Sequence, residues 1–256
     1  MCKARRKGTR NDRKPLIHCI TNPIAMNQSA NAVLAMGARP IMAEHPLEVE
    51  EITETADALL LNLGNITDVR REAMKKSIVT ANHKGIPVVL DMVGIACSKL
   101  RREFVIFLLK NNRVDVIKGN YSEILSLYSS DYRTDGVDVG FIAPEINLSE
   151  CMKELAAKHK SIVLATGERD LIVDKEPGKD YIVEGGCRQL GEITGTGCML
   201  GAIIATELAF RKEAEQEADI VYHACKYFKQ CGEAAESPSR SGTFFVNLMD
   251  ELGSLK

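Results

Sequence analysis

Apolar runs of strand length recur along the chain and alternate with segments of helical spacing. The runs are 58–63 (ALLLNL), 86–90 (IPVVL), 114–117 (VDVI) and 161–165 (SIVLA). Between them lie helical patterns over 68–83, 99–110 and 150–158. This alternation predicts an α/β fold: a mostly parallel central sheet with helices on both faces. Two further runs, 170–173 (DLIV) and 180–183 (DYIV), flank a Pro-Gly-Lys turn and predict an antiparallel hairpin added to that sheet. An earlier helix over 27–36 ends at Gly37, a residue suited to a left-handed cap. Pro46 is placed to open a helix over 47–55. A short helix is predicted at 121–127, and the last third reads as helices over 198–212, 213–229 and 244–252.

Composition narrows the class. The 256 residues are 45% hydrophobic and 27% charged, which suits a soluble globular protein large enough to bury a sheet. A net charge of −2 supplies no general field for nucleic acid or anionic membranes. No apolar run is long enough to span a bilayer. The first fourteen residues carry seven Lys or Arg and one acid, without a secretory apolar core. They read as a flexible basic tail, 1–14, ahead of a single domain over 15–256. Eight cysteines in a chain of this length, with no CxxC, point to a reducing, cytoplasmic compartment. His223, Cys225 and Cys231 fall on an amphipathic pattern, read as helix rather than zinc ligands.

Each predicted parallel strand ends in small or polar residues: Asn62-Leu63-Gly64-Asn65, Asp91-Met92-Val93-Gly94, Lys118-Gly119-Asn120 with Glu123, and Thr166-Gly167-Glu168. Open parallel sheets bind ligands beyond the carboxyl ends of their strands, so these clusters would share one cleft. Polar loops alone account for any one of them. Glu123 also suits the first turn of a helix, where a carboxylate meets the positive end of the dipole.

The sharpest local feature is Thr194-Gly195-Thr196-Gly197-Cys198, followed by an apolar helix. A glycine turn that opens a helix offers free N–H groups and the positive dipole end to an anion, phosphate above all. It matches neither the P-loop nor the GxGxxG fingerprint. A tight turn that packs a helix on the sheet explains the same glycines. Cys198, at the helix start, is expected to have a lowered pKa; an inert buried thiol is the other reading.

Several segments together resemble hydroxyethylthiazole kinases of the ribokinase-like superfamily. They are His18-Cys19-Ile20-Thr21-Asn22-Pro23, the stretch Leu34 to Ala43, Leu61 to Asn65, Pro87 to Asp91, Ile117 to Asn120 with Glu123, Thr166-Gly167-Glu168 with Asp170, and Ile193 to Cys198. The resemblance runs in order from about residue 16 to the C-terminus. It implies a ribokinase-like fold without a separate lid domain. It also implies transfer of the γ-phosphate of ATP to the hydroxyl of 4-methyl-5-(2-hydroxyethyl)thiazole, in thiamin salvage. By the same resemblance Cys198 is the base. Met42, Gly195, Asn22, Ile24 and Gly64 meet the thiazole alcohol. Lys118, Thr166, Asn120 and Gly197 meet ATP, and Glu123 with Asp91 organises Mg²⁺. Such kinases are typically homotrimers whose sites are shared between neighbouring subunits; no nucleic acid or membrane partner is implied.

Two positions depart from the family pattern. Lys118 stands where arginine is usual, keeping the charge but losing the bidentate fork. Met92 stands where proline is usual, and the exchange is expected to loosen the loop behind the metal site. These departures, with Cys198 in place of the superfamily's aspartate, also admit a silent nucleotide-binding protein. A related vitamin-alcohol kinase or an ATP-dependent dehydratase fits the same architecture.

Overall fold

The computed structural model describes residues 13–129, 147–238 and 240–254. Residues 1–12 of the expected tail lie outside the described residues; Arg13, near its end, donates to the Thr55 carbonyl at 2.9 Å.

Eight strands form one sheet: β1 (Leu16–Ile20), β2 (Arg39–Ile41), β3 (Ala58–Asn62), β4 (Val88–Asp91), β5 (Val116–Asn120), β6 (Ile162–Thr166), β7 (Asp170–Val173) and β8 (Asp180–Val183). Their spatial order is β2-β1-β3-β4-β5-β6-β7-β8. The first six pair in parallel, and β7 and β8 add an antiparallel hairpin at the far edge. The hairpin falls on the predicted residues. Neither β1 nor β2 was expected as a strand. β1 is short and interrupts its apolar residues with His18, and β2 is three residues with a central Pro40. Proline has no N–H for a ladder, but β2 is an edge strand, where that lack is tolerated.

The helices are α1 (Met26–Ala35), α2 (Val49–Thr55), α3 (Asp68–Lys84), α4 (Lys99–Asn111), α5 (Tyr121–Tyr128), α6 (Leu148–His159), α7 (Gln189–Glu192), α8 (Thr196–Ala209), α9 (Glu217–Ala234) and α10 (Ser241–Ser254). The end of α1 is as expected: Gly37 takes φ +85° while its N–H and that of Ala38 return to Leu34 O and Val33 O. Pro46 does not open α2. The chain first winds a turn in which Glu48 N–H and Val49 N–H both return to His45 O, and the helix starts at Val49. α9 begins four residues later than the periodicity implied, at Glu217.

Alternate residues of a central strand face opposite layers. Ala58 and Leu60 of β3 join the core beneath α1, α8, α9 and α10, while Leu59 and Leu61 join the core beneath α3, α4 and α6. Both layers are buried, so β3 reads as a continuous apolar run. α8 is the central helix of its layer; Met199, Ala202, Ile203, Ile204 and Ala205 are fully buried. Truncating a buried isoleucine of this kind to alanine costs about 2–5 kcal/mol. Gly201 brings α8 close to the sheet: a Cβ there would lie 3.2 Å from Leu60 and 3.4 Å from Asp91.

Candidate active site

The strand order reverses between β1 and β3, which opens a crevice at their carboxyl ends. Two buried amides span it. Asn22 Nδ2, just past β1, donates to Asn62 Oδ1 at 3.0 Å and to Cys198 Sγ at 3.3 Å. Asn62 Oδ1 also accepts from Gly64 N–H at 2.9 Å, and Asn62 Nδ2 donates to Asp91 Oδ2 at 2.9 Å. Asn22 Oδ1 accepts from Ala25 N–H at 3.0 Å, which fixes the amide's orientation. The chain passes very close here: a Cβ on Gly64 would lie 2.6 Å from Asn22 Nδ2.

From Asp91 the network continues along the sheet. Asp91 and Lys118 are register partners on β4 and β5, and Lys118 Nζ sits 3.0 Å from Asp91 Oδ1. Both side chains are buried. Burial opposes charge on Lys118, but the Asp91 carboxylate outweighs it and holds the lysine above its ordinary pKa. On Asp91 burial is the stronger influence and raises the pKa against the pull of Lys118 and Asn62.

Glu123 caps its own helix. Asn120 accepts from Glu123 N–H at 2.8 Å while Glu123 Oε2 accepts from Asn120 N–H at 2.7 Å, a capping box. Its other oxygen, Oε1, accepts from Gly94 N–H at 2.6 Å. Burial nevertheless pushes Glu123 up to about 7. At Met92 the structure shows a tie the family's proline cannot form. Met92 is buried and its N–H donates to Lys118 O at 2.9 Å, a bond a proline has no hydrogen to make.

Above the crevice, the glycine turn opens α8 two residues earlier than expected, at Thr196. Gly195 takes φ +97°, open to glycine without strain. No side chain caps this end, so the N–H groups of the first turn face outward unclaimed by the helix itself. Gly197 is exposed and lies over Lys118, whose Nζ would be 3.9 Å from a Cβ at that position. Cys198 is half-buried in the third helical position. Its expected acidity is overturned. Burial, with the Asp91 charge adding to it, raises the thiol above its ordinary pKa, against Lys118 and the Asn22 and Asn62 amides.

The structure therefore brings Asn22, Gly64, Asp91, Lys118, Glu123, Gly197 and Cys198 together at one edge of the sheet. Thr166, a register partner of Asn120, ends β6 on the same edge and donates from Oγ1 to Gly119 O at 3.3 Å. Ile24 is 54% exposed beyond β1, and Met42 is half-buried just past β2, so these two lie at the rim. Asn62, the hub of the network, was expected in the cleft through its strand-end cluster but was given no ligand-binding or catalytic role. Its signal was there: a polar residue closing an otherwise apolar run.

Asp91 and Glu123 suit a hydrated divalent cation. Each of their four oxygens already accepts one bond, from Lys118, Asn62, Gly94 or Asn120. A carboxylate oxygen keeps a second lone pair. The pair can accept from the water shell that Mg²⁺ retains beside phosphates, rather than form a direct cage.

The model of the hydroxyethylthiazole kinase family matches residues 9–256. A curated relative, hydroxyethylthiazole kinase 1 of Clostridium botulinum, is 42% identical over 248 residues, 95% of this chain and 91% of the relative. The solved structure of a hydroxyethylthiazole kinase protein from Pyrococcus horikoshii superposes with a TM-score of 0.81 at 33% identity, covering 94% of this chain and 88% of that one. A ribokinase-like superfamily protein from Enterococcus faecalis shares the fold at 15% identity, with a TM-score of 0.66 over 94% of this chain and 87% of its own.

Proposed function

Because the chain belongs to the hydroxyethylthiazole kinase family, we propose that it transfers the γ-phosphoryl group of ATP to the hydroxyl of hydroxyethylthiazole, releasing ADP and the thiazole monophosphate. The observation that carries this reading is the placement of Cys198 Sγ and the open first turn of α8 over the Asp91–Lys118 pair.

Phosphoryl transfer asks a protein for positioning and charge neutralisation more than for covalent chemistry. The substrate alcohol lies between Asn22, Gly64 and Gly195, with Ile24 and Met42 at the rim. Its oxygen bonds to the γ-phosphorus as the bond to the β,γ-bridging oxygen breaks. Lys118 and the N–H groups of Gly197 and Cys198 stabilise charge on the moving group. Thr166 Oγ and Asn120 meet the phosphate chain. Asp91 and Glu123 would hold the water shell of a Mg²⁺ bound with the nucleotide, which would neutralise phosphate charge. Cys198 Sγ takes the alcohol's proton. Its raised pKa leaves little thiolate at neutral pH but makes that thiolate more basic, which suits a loose transition state that sheds its proton late.

The apolar, exposed Ile24 beside Asn22 fits a homotrimer in which a neighbouring subunit covers the rim of each site. Free thiols at Cys19, Cys97, Cys151, Cys187, Cys198, Cys225 and Cys231 fit a reducing, cytoplasmic setting. One assay tests the activity: ADP release from ATP with and without hydroxyethylthiazole, with the product identified by mass. Hydrolysis indifferent to the alcohol would sink the assignment. Light scattering in solution tests the trimer.

A further inference from the structure

The turn that follows Thr166 is pinned from several sides. Gly167 N–H donates to Asp170 Oδ1 at 3.1 Å. From α5, the Tyr121 hydroxyl donates to Arg169 O, and its ring packs so near that a Cβ on Gly167 would lie 2.7 Å away. The last clamp comes from α9. Lys229 Nζ donates to Glu168 O at 2.9 Å, to Gly185 O at 3.2 Å and to Gly167 O at 3.3 Å, with Asp170 Oδ1 at 3.6 Å. An ammonium has three hydrogens, and here three carbonyls take them. Lys229 is buried, which lysine tolerates only when its charge is matched.

We infer that Lys229 is a positioning residue for ATP. Its ammonium acts as a tethered monovalent cation that ties the Gly167-Glu168 turn to the Gly185 loop, and so holds Thr166 where the phosphate chain binds. Two features separate this from ordinary helix anchoring. The three carbonyls belong to two loops beyond the strands, not to the core of the sheet. Both loops also need their glycines: Gly185 and Gly186 take φ +96° and +89°, and Gly167 meets the Tyr121 ring. Glycine backbone brings no side chain of its own to hold a loop, and the cation supplies the attraction that keeps the carbonyls converged. Cutting Lys229 back to alanine would vacate the stem's path and, at its end, the point where the three carbonyls converge, which an ammonium ion can occupy.

The inference rests on the kinase reading, and its test is chosen to fail separately. Wild type, Lys229→Ala and Lys229→Met are compared as full chains. Kd for a non-hydrolysable ATP analogue is measured by calorimetry, and KM for ATP and for the thiazole alcohol by ADP release. Both measurements are made in ammonium chloride and in sodium chloride at equal ionic strength. The expected result is an ATP affinity about tenfold weaker in both variants, the worth of a lost charged hydrogen bond, with the KM of the alcohol near wild type. Ammonium, but not sodium, restores Lys229→Ala, whereas Lys229→Met, whose side chain fills the space, does not respond. Unchanged ATP affinity in folded Lys229→Ala overturns the inference. So does an equal loss on both substrates without an ammonium response, the mark of a merely structural lysine. Should both variants fail to fold, Lys229→Gln keeps two uncharged donors on a stem one bond shorter, and wild-type ATP affinity in that variant overturns the inference equally. Wild type that binds the analogue without turnover sinks the kinase reading alone, because Kd still reports on Lys229.

Discussion

Asn22 reaches across 176 positions of sequence to set its amide 3.3 Å from Cys198 Sγ. The same nitrogen bonds Asn62 on β3, so the thiol is tied through two amides to Asp91 and then to Lys118. A shift at any member reaches the others, and the first three expected outcomes below each break the chain at a different link.

At Cys198 the raised pKa makes a kinetic statement. Turnover in wild type should climb with pH through 9.0, the ordinary thiol value, and beyond it as thiolate forms. Cys198→Ala should lose about 100-fold in kcat, the low end for a general base in a loose transition state. Cys198→Asp, whose carboxylate forms at far lower pH than a thiolate, should keep activity and show no alkaline limb. A pH–rate profile settles the matter. A folded but inactive Cys198→Asp, or a wild-type rate level through that range, removes Cys198 from the role of base.

Gly64→Ala would push a methyl group into Asn22, where a Cβ has only 2.6 Å of room. Asn22 must then leave Cys198 or Asn62. A displacement of this order costs about 100-fold in kcat/KM when it falls on positioning groups. Steady-state kinetics on the thiazole alcohol, with a thermal melt as control, measure it. Near-wild-type kinetics in a folded variant would show that the amide bridge has no part in catalysis.

Lys118→Met leaves Asp91 buried and unpaired, which should cost about 3–5 kcal/mol in urea unfolding besides ending turnover. Adding Asp91→Asn removes the orphaned charge and should return most of that stability while the double variant stays inactive. If the single variant unfolds like wild type, the pair carries no charge in the folded protein.

Glu123 gives a pH dependence with opposite signs for stability and activity. Its pKa rises from 4.5 to about 7 on folding. The folded state therefore holds the proton more tightly, a stabilisation complete below 4.5 and lost as pH rises through about 7. Relative to Glu123→Gln, wild type should lose unfolding free energy across that window, whereas its kcat/KM for ATP should rise as the carboxylate forms. Parallel denaturation series at several pH values report the first, and initial rates the second. A constant difference between the two proteins would mean that Glu123 ionises in the folded state as it does in water.

Much of the architecture was legible because its causes are local. α3 lies within a residue of its predicted bounds, since Thr67 caps it and Gly85 at φ +75° ends it. The hairpin of β7 and β8 follows from alternation around a Pro-Gly turn. The strand-end clusters of β3, β4, β5 and β6 did converge on one edge, because parallel pairing leaves them no other place. β2 was not legible, since three residues with a proline become a strand only when β1 lies beside them.

By itself the sequence determined most of the helices and the strands from β3 onward, which polar residues sit at their ends, and the family likeness those residues carry. It could do so because periodicity, caps and turns act over a few neighbouring positions. Only the tertiary structure decided the sign of the Cys198 shift, the hub at Asn62, the bond that Met92 makes in place of a proline, and the carbonyl cage around Lys229. Each of these depends on burial and on partners distant along the chain, and the energy of a charge or a hydrogen bond is set by what surrounds it in space.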